Sequence, residues 1–280
     1  MRYFLSFIFL LNLHPTFAGE IKVCSSCEVK TVKEAIELAE NGDTILIEKG
    51  VYKEFDLNII NKSLHLKGIN YPVIDAGMNG TAFGIKADGV TIEGLKIINV
   101  GRSYTKDFAA ILLNGSKNFV LKNNILENVF FGFLIEKSHK GIITGNRIKS
   151  EGGEESNSGN GIHLWSSTEV IVKDNRVQGM RDGIYIEFGK KCEILNNVCE
   201  KNIRYGLHFM FSDGNSYIGN TFEENGAGVA VMFSKFIEMK KNIFRRSWGS
   251  ASYGLLLKEI SDATLENNIF EDNTLVGFLY

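Results

Sequence analysis

Residues 183–199 read Gly-Ile-Tyr-Ile-Glu-Phe-Gly-Lys-Lys-Cys-Glu-Ile-Leu-Asn-Asn-Val-Cys and contain one unit of a repeat. Two short runs of alternating apolar and polar residues are separated by glycine and lysine turn residues. Alternation over four to six residues is typical of strands with one buried face. The next unit repeats the pattern, with Gly-Leu-His-Phe-Met-Phe at 206–211 and Asn-Ser-Tyr-Ile-Gly-Asn-Thr-Phe at 215–222.

One asparagine and one glycine recur in every unit. The asparagines step by 22, 29, 22, 23, 22 and 26 residues, and the glycines by 29, 22, 23, 22, 26 and 23. They are Asn124, Asn146, Asn175, Asn197, Asn220, Asn242 and Asn268, and Gly132, Gly161, Gly183, Gly206, Gly228, Gly254 and Gly277. Because both series lengthen in the same cycles, the extra residues are loops in a repeated structural unit. A period in the low twenties with short strands predicts a solenoid.

Strands that recur in one direction stack in parallel, about 4.8 Å apart, and parallel crossovers are usually right-handed. The sequence therefore predicts an all-β fold, a right-handed single-stranded parallel β-helix of the pectin-lyase-like type. Asparagine tolerates left-handed backbone angles, and its amide can pair with copies above and below. We therefore interpret the asparagine series as part of the scaffold.

Three segments are expected along the chain. Residues 1–18 carry Arg2 and an apolar stretch, which indicates a secretory signal peptide cut after Ala18. Residues 19–43 form an N-terminal cap, in which Thr31-Val-Lys-Glu34 is a capping-box pattern for a short helix. Residues 44–280 form the β-helix, and we expect its C-terminal end to be truncated because the chain stops inside a new unit.

Charge, cysteine content and insertions limit the classes of function that fit this chain. The formal net charge of −2 and the pI near 6.3 exclude the basic footprint of a nucleic-acid-binding protein. Cys24 and Cys27 form a disulfide or a soft-metal pair, of which the disulfide is favoured in an exported protein. Cys192 and Cys199 are expected to be core thiols. Residues 149–160 and 247–253 are insertions, which in solenoids often build the working surface.

Candidate metal ligands come from the alternation in the glycine-led strands. If the first and third positions after the glycine face inward, His208, Met210 and Met232 share one outer face on adjacent coils. Met180 could approach this face from the preceding turn. An imidazole and thioethers are ligands that Cu(I) favours. His163 is a further candidate two coils away, although a lone histidine is more often a surface residue. Met239, by contrast, falls in an inward column.

Two other interpretations remain open at this stage. The outward methionines could pack under a loop or contact a partner protein without any metal. Alternatively, the chain could be a polysaccharide-acting lyase, epimerase or hydrolase, since many β-helices act through a groove on one face. Asp182, Glu187 and Asp213 offer carboxylates, but they sit at different offsets and do not form a pair at hydrolase spacing.

Several longer strings resemble the NosD family. They are Ser158-Gly-Asn-Gly-Ile-His-Leu-Trp165, Arg181-Asp-Gly-Ile-Tyr185, Arg204-Tyr-Gly-Leu-His-Phe-Met-Phe-Ser212, Asn225-Gly-Ala-Gly-Val-Ala-Val-Met-Phe-Ser234, Tyr253-Gly-Leu-Leu-Leu-Lys-Glu259 and Ser103-Tyr-Thr-Lys-Asp-Phe-Ala-Ala110. The Cys24-x-x-Cys27 pair with Gly42-Asp43-Thr44 is similar to the branch of this family from Bacteroidetes-type bacteria.

The resemblance implies a role in the periplasm rather than a reaction. Proteins of this family work with an ATP-binding cassette transporter, whose ATPase and permease are other chains, and help to supply copper to nitrous oxide reductase. A copper chaperone is a further implied partner. The family's His-Phe-Met and Val-Met-Phe strings fall on His208, Met210 and Met232, and Met180 stands where the resemblance implies histidine. The chain is thus predicted to be a non-enzymatic copper-maturation factor.

Overall fold

The structure is a computed structural model that describes residues 18–103, 105–151, 153–250 and 252–279. In these residues the chain winds into a right-handed parallel β-helix of about 11 turns. Each turn contributes one strand to each of three parallel sheets, which run along the axis and enclose one apolar core. The predicted fold is confirmed. The predicted signal peptide lies outside the described residues, apart from Ala18.

The three sheets are named sheet 1, sheet 2 and sheet 3. Sheet 1 has 11 strands, Glu20–Val23, Thr44–Ile47, His65–Gly68, Thr91–Glu93, Val120–Lys122, Ile142–Thr144, Ile171–Lys173, Glu193–Leu195, Ser216–Ile218, Lys235–Lys240 and Ser261–Glu266. Sheet 2 has 10 strands, Leu57–Ile60, Phe83–Lys86, Ala109–Asn114, Phe131–Glu136, Ile162–Trp165, Ile184–Glu187, Tyr205–Met210, Ala227–Met232, Leu255–Lys258 and Phe278–Leu279. Sheet 3 has 10 strands, Val51–Tyr52, Val73–Asp75, Lys96–Ile98, Ile125–Glu127, Arg147–Lys149, Arg176–Gln178, Val198–Glu200, Thr221–Glu223, Ile243–Arg245 and Ile269–Glu271.

The predicted N-terminal helix is confirmed over Val32–Leu38. The hydroxyl of Thr31 accepts a hydrogen bond from the Glu34 backbone N–H (3.2 Å), and the Glu34 carboxylate accepts from the Lys30 N–H (3.3 Å). Its apolar residues Val32 and Ile36 are buried in the core. A 3₁₀ turn over Glu155–Asn157 is the only other helical element among the described residues. Neither is long and apolar enough to cross a bilayer in the part of the chain that the structure describes.

The segment before this helix belongs to the solenoid. Glu20–Val23 pairs in parallel with Thr44–Ile47, so sheet 1 begins N-terminal to the helix rather than after it. Cys24 and Cys27 form a disulfide directly after this strand, which confirms the favoured interpretation of that pair. Cys192 and Cys199 are free, buried thiols, as predicted.

The asparagine series forms the predicted scaffold. Asn197, for example, donates its backbone N–H (2.9 Å) and its Nδ2 (3.0 Å) to Oδ1 of Asn220 on the next coil. Its Nδ2 also donates to the Val172 carbonyl (2.8 Å). The same contacts recur from Asn124 to Asn268. Because each amide satisfies buried backbone groups at a bend, the series fixes the register between coils.

Candidate metal centre

The outer face of sheet 2 carries the predicted candidates. In Tyr205–Met210, Leu207 and Phe209 are fully buried in the core, so His208 and Met210 project to the other face. The first and third positions after the glycine therefore face inward, as the alternation predicted. Met239 is buried in the core, also as predicted.

Met210 and Met232 are direct neighbours. They are partners in the parallel register of Tyr205–Met210 and Ala227–Met232, so their backbones lie one strand spacing apart, about 4.8 Å. Both side chains are half-buried. The Tyr185 hydroxyl donates to Sδ of Met210 at 3.7 Å. Burial raises the pKa of Tyr185 to about 12, so this hydroxyl keeps its proton near neutral pH.

His208 differs from its predicted environment. We expected its imidazole to reach solvent, but only 6% of the residue is exposed. Tyr185 of the preceding coil stacks on the ring at 4.8 Å between centroids, and Tyr205 contacts it at 4.8 Å. Alternation gave the correct side of the sheet, but two neighbouring aromatic rings cover the imidazole. Neither ring nitrogen has a hydrogen-bond partner among the residues that the structure describes.

A buried ion pair lies beside His208. Asp182, which is fully buried, accepts hydrogen bonds from Arg204 through both carboxylate oxygens, at 2.9 Å and 2.6 Å. Burial alone would raise the pKa of Asp182, but the hydrogen bonds and charge of Arg204, together with the nearby His208 imidazole, outweigh it and hold that pKa below its ordinary value. Nδ1 of His208 lies 3.9 Å from Asp182 Oδ2, which is too far for a hydrogen bond.

Sequence reasoning missed this ion pair. Asp182 was considered only as a catalytic carboxylate, and Arg204 only as part of the family resemblance. The available signal was their separation of 22 residues, close to the length of one repeat unit, which places opposite charges at neighbouring positions on adjacent coils.

The prediction for Met180 was wrong. Its side chain is buried in the hydrophobic core, with 1% exposure, and does not share the outer face with His208 and Met210. Met180 lies at the corner between sheet 3 and sheet 2, where its backbone N–H donates to Oδ1 of Asn202 (3.1 Å). At a corner the alternation of a strand no longer applies, so counting back from Gly183 gave the wrong orientation.

His163 does not join the other candidates. It lies on the outer face of sheet 2, with Tyr185 between it and His208, and its ring centroid is 4.7 Å from that of Tyr185. Tyr185 therefore separates the two imidazoles, and one ion cannot bind both. Burial lowers the pKa of His163 to about 4, so it is neutral near pH 7, and neither ring nitrogen has a hydrogen-bond partner.

The donor set fits only a soft metal. Among the described residues, no group of three or more His, Cys, Asp or Glu side chains is arranged to hold an ion. A metal at this face would therefore depend on the thioethers of Met210 and Met232 together with the unpartnered His208 imidazole. Thioethers favour Cu(I) over harder divalent ions, so these residues fit Cu(I).

Three aromatic rings border the methionines, two of them exposed (Phe188 and Phe211) and one half-buried (Phe233). Phe188, Phe211 and Phe233 stack on successive coils at 5.5 Å and 5.1 Å, and each immediately follows a strand of sheet 2. All three adopt left-handed backbone angles, with φ of 54°, 49° and 51°. Lys137, Ser166 and Glu259, which follow other strands of sheet 2, have the same left-handed angles, so the conformation belongs to this corner of the solenoid. The stack extends the apolar surface beside Met210 and Met232.

Both insertions border a single cavity on the flank of sheet 2. It has a volume of about 280 Å³ and is lined by Glu155 of the first insertion and Trp248 and Gly249 of the second, with Arg204 and Tyr205 between them. Glu155 also lies 3.6 Å from Arg204 Nη1. The first insertion thus contacts the arginine that holds Asp182.

The carboxylates of the enzyme hypothesis do not converge into a pair. Asp182 is paired with Arg204. Glu187 lies in the column of Met210, its partner in the parallel register. Asp213 lies in the turn after Met210, where its carboxylate accepts from the Lys235 N–H (2.9 Å).

The family match includes the whole candidate centre. Residues 150–280 match the NosD family, which is described as a periplasmic copper-binding protein. The matched segment makes up a little under half of the chain. His208, Met210 and Met232 all lie within it, as do Asp182 and Arg204.

Two curated relatives carry the NosD name. The chain is 32% identical over 127 residues to a probable ABC transporter binding protein NosD of Pseudomonas aeruginosa, covering 45% of this chain and 30% of that protein. It is 32% identical over 113 residues to the NosD protein of Stutzerimonas stutzeri, which has the same description, covering 40% and 26%. The matched segment therefore spans less than a third of either relative.

Solved structures of other proteins share the fold alone. The mannuronan C-5 epimerase AlgE4 A-module of Azotobacter vinelandii has a TM-score of 0.61 at 14% identity, over 84% of this chain and 82% of that one. The surface adhesin PfbA of Streptococcus pneumoniae has a TM-score of 0.68 at 14% identity, over 87% and 74%. Tailspike protein 2 of an Escherichia coli O157:H7 bacteriophage has a TM-score of 0.69 at 10% identity, over 91% and 38%.

Proposed function

We propose that this chain is a periplasmic accessory protein that binds copper as cargo and works with an ABC transporter in the maturation of nitrous oxide reductase. The family description supports a copper-binding role in the periplasm, and the names of the relatives support the transporter. A copper chaperone would be the donor in this scheme. The whole protein's partners are part of the proposal, since the match spans a minor part of each relative.

One observation carries the copper role. Met210 and Met232 lie in register on adjacent strands, and His208, two residues from Met210 on the same face, has two buried ring nitrogens without partners. Buried polar atoms normally have hydrogen-bond partners, so an unpaired imidazole on the same face as two thioethers supports a role for these three side chains as ligands. The three side chains would hold Cu(I) through two sulfur atoms and one nitrogen atom.

A set of three protein ligands suits the transfer of Cu(I) to or from a partner. Structural metal sites are usually closed by four protein ligands, whereas three ligands leave a position for an incoming donor or acceptor. Met210 and Met232 are half-buried and remain in contact with solvent, so a partner's ligand can reach the metal from their side. Tyr185 and Tyr205 cover the imidazole of His208 and limit the access of water to it.

The experiment is an anaerobic Cu(I) titration against a competing chromophoric chelator. Wild type is compared with the His208→Ala/Met210→Ala/Met232→Ala variant, and the control is Met78→Leu, an exposed methionine far from sheet 2's central strands. We expect one Cu(I) per wild-type chain and per control chain, and loss of that binding in the triple variant. Equal affinity in wild type and the triple variant would remove the copper role.

A second candidate is a docking protein that binds no metal. The stack of Phe188, Phe211 and Phe233, in which Phe188 and Phe211 are exposed, favours it, because apolar surface beside half-buried methionines is typical of partner sites. In that case the titration shows no difference between variants. Release of unsaturated sugars from uronate polymers would instead favour a polysaccharide-acting enzyme.

A further inference from the structure

The unpartnered imidazole of His208 has one polar neighbour placed to orient it. Nδ1 lies 3.9 Å from Oδ2 of Asp182. The register partners of His208 are Tyr185 on one side and Ala230, which has no polar side-chain group, on the other. A shift of about 1 Å would bring Nδ1 and Oδ2 to the distance of a charge-assisted hydrogen bond.

The carboxylate of Asp182 keeps one oxygen available for that contact. Oδ1 accepts from Arg204 Nε (2.9 Å) and from the Tyr205 backbone N–H (3.3 Å). Oδ2 accepts only from Arg204 Nη2 (2.6 Å). Because a carboxylate oxygen can accept two hydrogen bonds, Oδ2 has a free acceptor site, and this is the oxygen nearest to His208.

The orientation of the ring follows from these contacts. Tyr185 stacks on the imidazole with an angle of 21° between the planes, which fixes the ring plane. With Nδ1 turned toward Asp182, Nε2 lies on the part of the ring directed away from it. In metal sites, a ligating histidine commonly donates its other N–H to a carboxylate, which fixes the tautomer and strengthens the ligand.

We propose that Asp182 is a positioning residue that holds the proton of His208 on Nδ1 and so presents Nε2 to the metal. Arg204 anchors Asp182 through hydrogen bonds to both carboxylate oxygens. This inference rests on the proposed copper role for its consequence, but the approach of Asp182 to His208, at 3.9 Å, does not depend on a metal. The two can therefore be tested separately.

The first measurement is the tautomer of His208 in metal-free protein labelled with ¹⁵N-histidine, read from long-range ¹H–¹⁵N correlations at mildly alkaline pH. Wild type is expected to carry the proton on Nδ1. In Asp182→Asn, the amide oxygen remains with Arg204, and the NH₂ group faces Nδ1, so the proton should move to Nε2. A proton on Nε2 in wild type would overturn the proposal, even if the variant does not fold.

The second measurement is Cu(I) affinity by chelator competition. Asp182→Asn should weaken binding by about 10-fold to 100-fold, the usual effect of losing such a partner. Asp174→Asn is the matched control, since Asp174 is an exposed carboxylate on the same coil, and it should bind like wild type.

The outcomes separate the two proposals. Unchanged affinity in Asp182→Asn, with wild type binding Cu(I), would overturn the positioning role. Absence of Cu(I) binding in wild type would end the copper proposal, whereas the tautomer would still decide whether Asp182 orients His208.

Discussion

The carboxylate of Asp182 accepts two hydrogen bonds from the guanidinium of Arg204, although Asp182 has no solvent-exposed surface. The two residues occupy adjacent coils, one repeat unit apart. A buried charge is tolerated only when it is paired, so this contact links the stability of two coils to the environment of His208.

Removing Arg204 should strongly destabilise the protein. Arg204→Met leaves the Asp182 charge buried and unpaired, and loss of one partner of such a pair destabilises by about 3–5 kcal/mol. Lys22→Met is the control, because Lys22 and Glu48 form a surface ion pair (2.9 Å), and such pairs contribute little to stability. Urea unfolding measures both. Similar losses in the two variants would show that Asp182 is not effectively buried.

Stability should fall as the pH is lowered from 7 to 5, partly because of His163. Burial lowers its folded-state pKa from 6.5 to about 4, so between these values the unfolded state binds more protons than the folded state. Because of this difference in proton binding, the free energy of unfolding falls by about 2 kcal/mol between pH 7 and pH 5. In His163→Gln this part of the pH dependence should disappear, while the rest remains. Urea unfolding at both pH values tests it, and an equal pH dependence in wild type and variant would contradict it.

The asparagine series should be essential for stability. Asn220→Ala removes the acceptor of two Asn197 donors and the donor to Asn242 and the Ile194 carbonyl. Since the groups left behind are buried, we expect a loss of about 2–4 kcal/mol. In Asn41→Ala, which removes one exposed hydrogen bond to the Ser63 N–H (2.8 Å), the loss should stay below about 1 kcal/mol. Thermal unfolding compares the two variants.

Substitution of an outer-face methionine should lower Cu(I) affinity, whereas substitution of a core methionine should not. Met210→Leu should weaken Cu(I) binding about tenfold because it removes a sulfur ligand, a change of about 1.4 kcal/mol. Met180→Leu and Met239→Leu replace core side chains of similar volume, so they should leave Cu(I) affinity unchanged and cost less than about 1.5 kcal/mol of stability. Chelator competition and urea unfolding are measured on all three. A copper effect of Met180→Leu equal to that of Met210→Leu would contradict the core position of Met180.

The candidate centre was only partly accessible to sequence reasoning. The side of the sheet on which His208, Met210 and Met232 project follows from alternation within one strand, a local property. The exposure of His208 does not follow from alternation within its strand, because Tyr185 lies on another coil and stacks on the imidazole. Met180 was misplaced for a related reason, since strand alternation ends at the corner where it lies.

The sequence by itself determined the solenoid, its register and its short N-terminal helix, because each depends on spacings that recur along the chain and on local capping. Only the tertiary structure decided that Glu20–Val23 belongs to sheet 1, that Met180 is a core residue, and that Asp182 and Arg204 pair beside His208. These features depend on which side chains of different coils meet, and on how far each is withdrawn from water. Repeat spacing places residues on neighbouring coils, but packing between the coils sets their contacts.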